Sequence, residues 1–325
     1  MFPVSVVIPT FNSDGLIVQT LRSVLAQTLP PAEVIVVDDG STDDTEQLVR
    51  AFPVRYCRVE NGGPSKARNV GVALANSEWI AFCDHDDLWR PTYLERFAAH
   101  MRPASFYGFA NWVDIIGDVW TAQEKFSAAP EGFFAEPEQP FYRHLLDFVP
   151  VWPSATLIRK DFFDSLGGFD PRFSRFATED LDFTLRCNEH APAVVMHEAL
   201  VGIRRHQGNY SYGLIRKLLS DSTILEWARD QHRLGRTLRP EIDRVIIKRR
   251  LWALNEAFQN GDTATVRDIA ALLPSATIPA KARVKIALAK SRIVPGALLR
   301  TLFGSPRLDQ PPGKGKYDAT PATQH

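Results

Sequence analysis

The 325-residue sequence holds only three cysteines, Cys57, Cys83 and Cys187, far apart from one another. That excludes a disulfide framework and the paired spacing of a zinc site, and it fits a reducing compartment. Charge of one sign is missing too: 38 basic residues face 38 acidic ones, so no overall basic field recruits nucleic acid. No apolar run reaches the ~18 residues of a membrane-spanning helix. The opening MFPVSVVIPT has no basic segment and carries Pro3 and Pro9, which reads against a signal peptide. A cytoplasmic protein is the expectation. Absent as well are the glycine fingerprints G-x-G-x-x-G and G-x-x-x-x-G-K-[ST], which speaks against dinucleotide and P-loop sites.

What is present is the material of a core. With 45% apolar and 23% charged residues the chain reads as soluble and globular, long enough for one large domain plus an appendage. VSVVI (4–8) predicts a buried strand stopped by Pro9, and Leu16, Ile17, Leu21, Val24 and Leu25 then recur at helical spacing. EVIVVDD (33–39) predicts a second strand, followed by a helix with Ser41 or Thr42 as its N-cap. VRYCRVE is a third short strand, NGGPSKARNVG a glycine turn into a helix with Pro64 at its first position, and EWIAFCD a fourth strand. Strands alternating with helices predict an α/β fold with a mostly parallel sheet covered on both faces. From residue 106 the pattern is mixed. SFYGFANWVDIIGD reads as a bent strand, 121–140 as a polar loop, PSATLIRKDFFDSLGGFD as strand then short helix ended by Gly167 and Gly168. TEDLDFTLRCNEH reads as a helix, and AVVMH and ALVGIRRH as two short strands. Helices continue from 213 to about 303, and 308–325 is a disordered tail by composition.

Ligands of parallel α/β sheets sit at the carboxyl ends of the strands. Polar clusters fall after each of the first strands: Pro9 to Asn12 with Thr10 and Phe11, Asp38 and Asp39, Asn61 to Gly63, and Asp84 to Asp87. Asp38 and Asp39 could hold a base edge, or merely cap a turn. Lys66 and Arg68 lie near a helix N-terminus that already favours anions; a phosphate would offset their opposition to the helix dipole, and a solvated basic turn is the alternative. In WIAFCDHDDLW (79–89), Asp84 and Asp86 leave an extended backbone on the same side, as two hard oxygen ligands for Mg2+ or Mn2+ would. Glu179 and Asp180 open a helix, where acids suit the dipole beside a Thr178 cap or where a general base could be held rigidly. His206, after Arg204 and Arg205, is either a structural hydrogen-bonder or a third metal ligand.

In their order, VSVVIPTFN, EVIVVDDGSTDDT, NGGPSKARNVG, WIAFCDHDDLW, LIRKDFFDSLGGFD, EDLDFTLR and RRHQGNYS resemble the family 2 glycosyltransferases of GT-A fold, over about residues 3–212. The resemblance implies a nucleotide-diphosphosugar donor, a UDP-sugar foremost, with the base held by Thr10, Phe11 and Asp39 and the nucleotide or diphosphate by Arg68. It implies a metal, Mn2+ or Mg2+, on Asp84 and Asp86, the catalytic base at Asp180, and a metal or diphosphate contact at His206. It further implies inversion at the anomeric carbon and a place in polysaccharide assembly at the cell envelope. The chain departs from processive members, which carry Q-x-x-R-W and membrane spans, so a single addition to a glycan or lipid-linked acceptor is expected. It also places His85 between the two metal aspartates. A sugar-nucleotide nucleotidyltransferase would need a glycine-rich basic loop where TFNSDG stands, and a non-catalytic carbohydrate-binding relative would lack the aspartates. The expected division is a catalytic domain over 1–212, a helical region over 213–307 and the tail. Basic and apolar residues interleave over 281–307, which suits either a helical cap or peripheral docking on anionic lipid at the inner face of the membrane.

Overall fold

Apolar residues run without interruption through the first strands because each strand is covered on both faces. In β1 (Val4–Thr10), Val7 packs to one side of the sheet while Val4, Val6 and Ile8 pack to the other. β2 (Glu33–Asp38) divides in the same way, with Ile35 and Val37 opposite Val34 and Val36. The period of two in the strand is what sends neighbours to opposite cores, and each fully buried Val or Ile contributes about 1.5–3 kcal/mol. The structure is a computed structural model that describes residues 2–129, 132–136, 140–147, 149, 151–206 and 213–291.

The parallel half of the sheet is β3 (Arg55–Arg58), β2, β1 and β4 (Trp79–Phe82), in that spatial order. α1 (Ile17–Leu25) and α2 (Thr45–Arg50) contribute Ile17, Leu21, Val24 and Val49 to one core, and α3 (Pro64–Leu74) contributes Ala67 and Val72 to the other. The sheet continues past β4 through β8 (Thr156–Arg159), β6 (Tyr107–Ile116), β9 (Val194–Arg204) and β5 (Leu88–Trp89), with β7 (Val119–Trp120) paired to β6. β8 runs antiparallel to both β4 and β6, whereas β6 and β9 are parallel to each other. α4 (Tyr93–His100), α5 (Tyr142–Leu145), α6 (Lys160–Ser165) and α7 (Asp180–His190) fill in around these strands. They are followed by α8 (Leu214–Gln231), α9 (Arg233–Thr237), α10 (Arg239–Gln259), α11 (Thr263–Ala271) and α12 (Ala280–Ser291). The chain forms two compact units that part between Ile246 and Ile247, within α10. Cys83 and Cys187 are buried, and Cys57 on β3 is half-buried.

Several local expectations are corrected. Pro9 does not stop β1, which continues to Thr10 and pairs Pro9 with Val37. The Val7 carbonyl accepts the Cys83 N–H, so odd-numbered residues of β1 face β4, and the β4 pairing ends at Val7. The missing N–H of Pro9 therefore points where no ladder partner stands. Ser41 and Thr42 do not cap α2, which begins at Thr45. The Ser41 hydroxyl accepts the Asn12 N–H at 2.9 Å instead, and the Thr42 N–H donates to Asn12 Oδ1 at 2.8 Å, stitching the first two strand ends together. The two short strands expected around Val195 and Ile203 are one strand, β9, whose pairing with β6 shifts register at Asn111; a bulge kept the sequence pattern from looking continuous. The 121–140 loop is anchored by aromatics: Phe126 and Phe133 are buried, 5.9 Å from Phe109 and 5.5 Å from Phe141 by ring centroids. Expectations placed on 292–325 lie outside the described residues.

α3 crosses β1 closely enough that a Cβ on Gly71 would run into Val7 Cγ1, whereas Gly15 has open space around it. Gly71→Ala is expected to destabilise by about 1–3 kcal/mol, as overpacking does, while Gly15→Ala stays within about 0.5 kcal/mol. Urea unfolding of both variants checks this.

Candidate active site

The carboxyl ends of β1, β2 and β4 open onto a cavity of about 720 Å³, whose far wall comes from 152–153, 175–180, 203–206 and Arg216. Phe11 stands 44% exposed at its edge. Asn12 holds a left-handed backbone with φ at +47°, a conformation asparagine tolerates better than most residues. The buried Thr10 hydroxyl bonds to that of Ser13.

Asp38 and Asp39 separate. Asp39 lines the cavity, and its two oxygens accept the N–H groups of Gly62 and Gly63 at 2.8 and 2.7 Å. Asp38 is fully buried away from it, accepting the Ser41 N–H at 2.7 Å and the Tyr56 hydroxyl at 2.5 Å. Its position is structural. Lys66 also stays off the cavity lining, with its ammonium on the Glu60 carbonyl at 3.0 Å.

Arg68 does line the cavity, yet it is 3% exposed and held by two carboxylates: Glu179 on Nη1 at 2.8 Å and Asp84 on Nη2 at 2.7 Å. Its guanidinium lies 5.2 Å from the Phe169 ring, and its Nε has no hydrogen-bond partner among the described residues. Burial opposes its charge, but Asp84 and Glu179 hold its pKa above the ordinary arginine value. Thus α3, the end of β4 and the start of α7 meet at one side chain.

Residues 84–87 form a turn closed by the Asp87 N–H on the Asp84 carbonyl at 3.0 Å, not the extended stretch expected from the sequence. Asp84, His85, Asp86 and Asp87 nevertheless all reach the cavity lining. The turn is held by two hydroxyls and a guanidinium. Thr20 donates to the carbonyls of His85 and Asp87, Ser154 accepts the Asp84 N–H, and Arg204 Nε donates to the Asp86 carbonyl at 3.0 Å. Asp87 takes the Ser154 hydroxyl at 2.5 Å and the Arg204 N–H at 3.1 Å. Burial and the neighbouring Asp86 and Asp84 push its pKa well up. Asp86 goes the other way. Burial works to raise its pKa, but the hydrogen bond from His206 Nε2 at 2.9 Å and the nearby His85 bring it below the ordinary value. Asp84, Asp86 and His206 thus supply hard oxygens and one imidazole on one wall, a donor set that suits Mn2+ or Mg2+. Among the described residues no three such side chains converge in ligating geometry.

Glu179 and Asp180 sit at the start of α7. Thr178 does not cap this helix; its hydroxyl is buried without a hydrogen-bond partner among the described residues. Burial raises Glu179, with Arg68 opposing. Asp180 is pushed up to about 7, first by burial and then by the Glu179 charge. Behind it lies an apolar void of about 20 Å³ lined by Phe82, Phe169 and Phe183. Asp182, two residues on and so about 200° around the helix, faces away. It bonds Arg186 Nε at 2.8 Å and His232 Nε2 at 3.0 Å, and His232 Nδ1 meets the Tyr142 hydroxyl at 3.0 Å. The helix bearing Asp180 is clamped from behind.

Sequence reasoning missed Trp152, Arg175 and Arg216 in this wall. Trp152 lies 5.1 Å from the Arg205 guanidinium and 5.6 Å from the Lys217 ammonium. None of the three falls in a periodic or motif-like context that could have flagged it.

A parallel nucleotide-type half-sheet joined to an antiparallel half, with acids at the strand ends, defines a GT-A glycosyltransferase fold. The fold is shared with a crystal structure of S. aureus TarS 1–349 in complex with UDP-GlcNAc, at TM-score 0.61 and 20% identity, covering 88% of this chain and 89% of that one. It is shared too with the mannosyltransferase PcManGT from Pyrobaculum calidifontis in complex with GDP-Man and Mn2+, at TM-score 0.54 and 20% identity, covering 92% and 83%. Residues 5–167 match the family model described as glycosyl transferase family 2, and the chain belongs to that family. A validoxylamine A glucosyltransferase of Streptomyces hygroscopicus subsp. limoneus is 30% identical over 247 residues, covering 64% of this chain and 53% of that protein. The succinoglycan biosynthesis protein ExoO of Rhizobium meliloti (strain 1021) is 44% identical over 97 residues, covering 29% and 28%. The chain spans between 16% and 64% of the lengths of the first curated relatives it matches.

Arg68→Met strands two carboxylates beside each other, and breaking a buried pair in this way costs about 3–5 kcal/mol. Lys66→Met should stay within about 0.5 kcal/mol. Guanidinium denaturation of both variants distinguishes a keystone from a surface contact.

Proposed function

We propose that this chain is an inverting, metal-dependent, non-processive glycosyltransferase. It moves one sugar from a nucleotide-diphosphosugar, a UDP-sugar foremost, to a hydroxyl of a glycan or lipid-linked acceptor. The observation that carries the reading is Asp180: a carboxyl held at a rigid helix start, enclosed behind, and opening on the cavity that also contains Asp39 and the acidic turn. A general base is best matched when its pKa lies near the operating pH, and burial brings Asp180 to about 7. TarS was solved with UDP-GlcNAc, which supports a uridine nucleotide. PcManGT was solved with Mn2+, which supports the metal. Succinoglycan assembly by the Rhizobium relative supports a role in polysaccharide synthesis.

Phe11 and Asp39 bind the base end of the donor, and the backbone at Thr10 to Asn12 lines the path beside it. Asp84, Asp86 and His206 would hold Mn2+ or Mg2+, which when bound neutralises charge on the departing diphosphate. Asp180 takes the proton of the acceptor hydroxyl. The acceptor oxygen forms its bond to the anomeric carbon as the carbon–oxygen bond to the diphosphate breaks on the opposite side, so the configuration inverts. Arg68 fixes Glu179 beside Asp180 and opposes the rise that burial causes in the Glu179 pKa.

Asp180→Asn should retain donor binding and lose turnover by ~100-fold or more. In the unsubstituted protein kcat/KM should rise as pH passes about 7, the value to which Asp180 is pushed. The sign for stability is opposite: a raised carboxyl pKa stabilises the fold fully below its ordinary value near 4, and this contribution is lost as pH climbs through about 7. A flat kcat/KM profile from pH 5.5 to 8.5 would move the base elsewhere. Asp86→Ala should abolish the Mn2+-dependent part of UDP affinity, and Asp84→Ala should weaken it less. Calorimetric titration with and without Mn2+ reads both, and unchanged affinity in Asp86→Ala with metal present would sink the assignment.

No helix of the described residues is long and apolar enough to cross a membrane. In α12, Lys281, Arg283 and Lys290 are exposed beside a 61% exposed Val284, which supports peripheral docking on anionic lipid. Lys285 instead meets Asn255, and 292–307 lie outside the described residues. Full-length protein should pellet with anionic vesicles more than a chain ending near residue 278, and less so at high salt. Equal pelleting leaves the segment a structural cap.

A further inference from the structure

The cavity poses a charge problem for a diphosphate. Among the described residues, seven acidic side chains and four arginines line it. Arg68 cannot serve as a free cation, because both of its terminal nitrogens are engaged by Glu179 and Asp84. Arg205 reaches out of the lining to Asp114, with Nε at 2.7 Å from Oδ1. Arg175 and Arg216 stand together in the wall. Arg216 Nη2 donates to the Arg175 carbonyl at 3.1 Å, both side chains are exposed to the cavity, and the Arg175 guanidinium makes no hydrogen bond or ion pair among the described residues.

Their position is set by the neighbour of Arg175. Ser174 Oγ accepts the Ser65 N–H at 3.2 Å, and Gly63 lies so close that a Cβ there would come within 2.6 Å of that hydroxyl. Gly63 is also the residue whose N–H holds Asp39. Arg175 is thereby fixed beside the nucleotide end, and the same segment runs on within five residues to Asp180. Neither arginine falls within the 5–167 span of the family match.

We propose that Arg175 and Arg216 form a two-arginine clamp for a phosphate-bearing group, providing the positive charge that the carboxylate-bound Arg68 does not. This deepens the donor reading given above and rests on it. Guanidinium groups suit the role because they stay charged and offer paired donors to phosphate oxygens. The phosphate has two sources, the diphosphate of the donor or a phosphate carried by the acceptor; the closeness of Ser174 to Gly63 favours the donor.

The test titrates UDP, uridine and pyrophosphate, in the presence of Mg2+, into the full chain and into Arg175→Gln and Arg216→Gln. Both residues are exposed, so unfolding temperatures should be unchanged. Each substitution is expected to weaken UDP and pyrophosphate about 10-fold or more, the scale of a lost charge-assisted hydrogen bond, and to leave uridine affinity as it was. If UDP affinity is unchanged while inorganic phosphate binding to the UDP-saturated protein falls about 10-fold, the clamp stands and its phosphate belongs to the acceptor. Equal affinity of all three proteins for every phosphate probe overturns the clamp, as does a parent chain that binds none of them. A parent chain that binds pyrophosphate but not UDP counts against the uridine reading alone, and the pyrophosphate titrations of the variants still decide the clamp.

Discussion

One buried guanidinium joins the two halves of the catalytic unit. Arg68 comes from a helix of the parallel half, Asp84 from the end of β4, and Glu179 from the start of the helix that carries the candidate base. Desolvating an arginine is expensive unless its partners are well placed, so the helix, the turn and the second helix must settle together. The arrangement also has an electrostatic product. Glu179, kept in place by Arg68, lies next to Asp180 and adds its repulsion to the burial that raises that carboxyl. A stability device and a proton-affinity device share the same atoms.

The acidic turn shows how crowded carboxylates coexist. Asp84 pairs with an arginine, Asp86 bonds a histidine, and Asp87, its pKa pushed up by burial, takes a hydroxyl and a backbone N–H. Three different solutions stand within four residues. Backbone carbonyls of the turn are tied by Thr20 and Arg204, from α1 and β9. The turn is therefore positioned by hydrogen bonds from elements on both sides of it.

The parallel half was legible in the sequence because burial on both faces writes an unbroken apolar run, and strand ends in such sheets bear the ligands. The acid pair at 179–180 and the D-x-D spacing were legible for the same reason: both sit directly beside a recognisable element. Residue pattern alone does not tell Asp38 from Asp39, since adjacent residues at a strand end point to opposite sides and nothing local says which side is the cavity; only the family resemblance singles out Asp39. Arg68 was legible as important but not as an ion-pair keystone, because its partners lie 16 and 111 residues away in sequence. Arg175 and Trp152 were invisible: their places follow from how loops fold over the sheet. β9 reads as two strands in the sequence because the extra residues it carries between Met196 and Val201, where its pairing with β6 shifts register, break the alternation.

The scarcity of cysteine acquires a practical side once the thiols are placed. Cys83 lies beneath the acidic turn, where burial and the charges of Asp87, Asp84 and Asp86 push its pKa well up. Burial does the same to Cys187, on the helix behind Asp180. Electrophiles that need a thiolate are thus turned away from both. Cys57 is different. It is half-buried on β3, the outer strand of the parallel half, in register with Val37 and outside the cavity lining. The native chain carries a single addressable thiol, placed one strand away from the nucleotide end, where a fluorophore could report on that end without any engineered substitution.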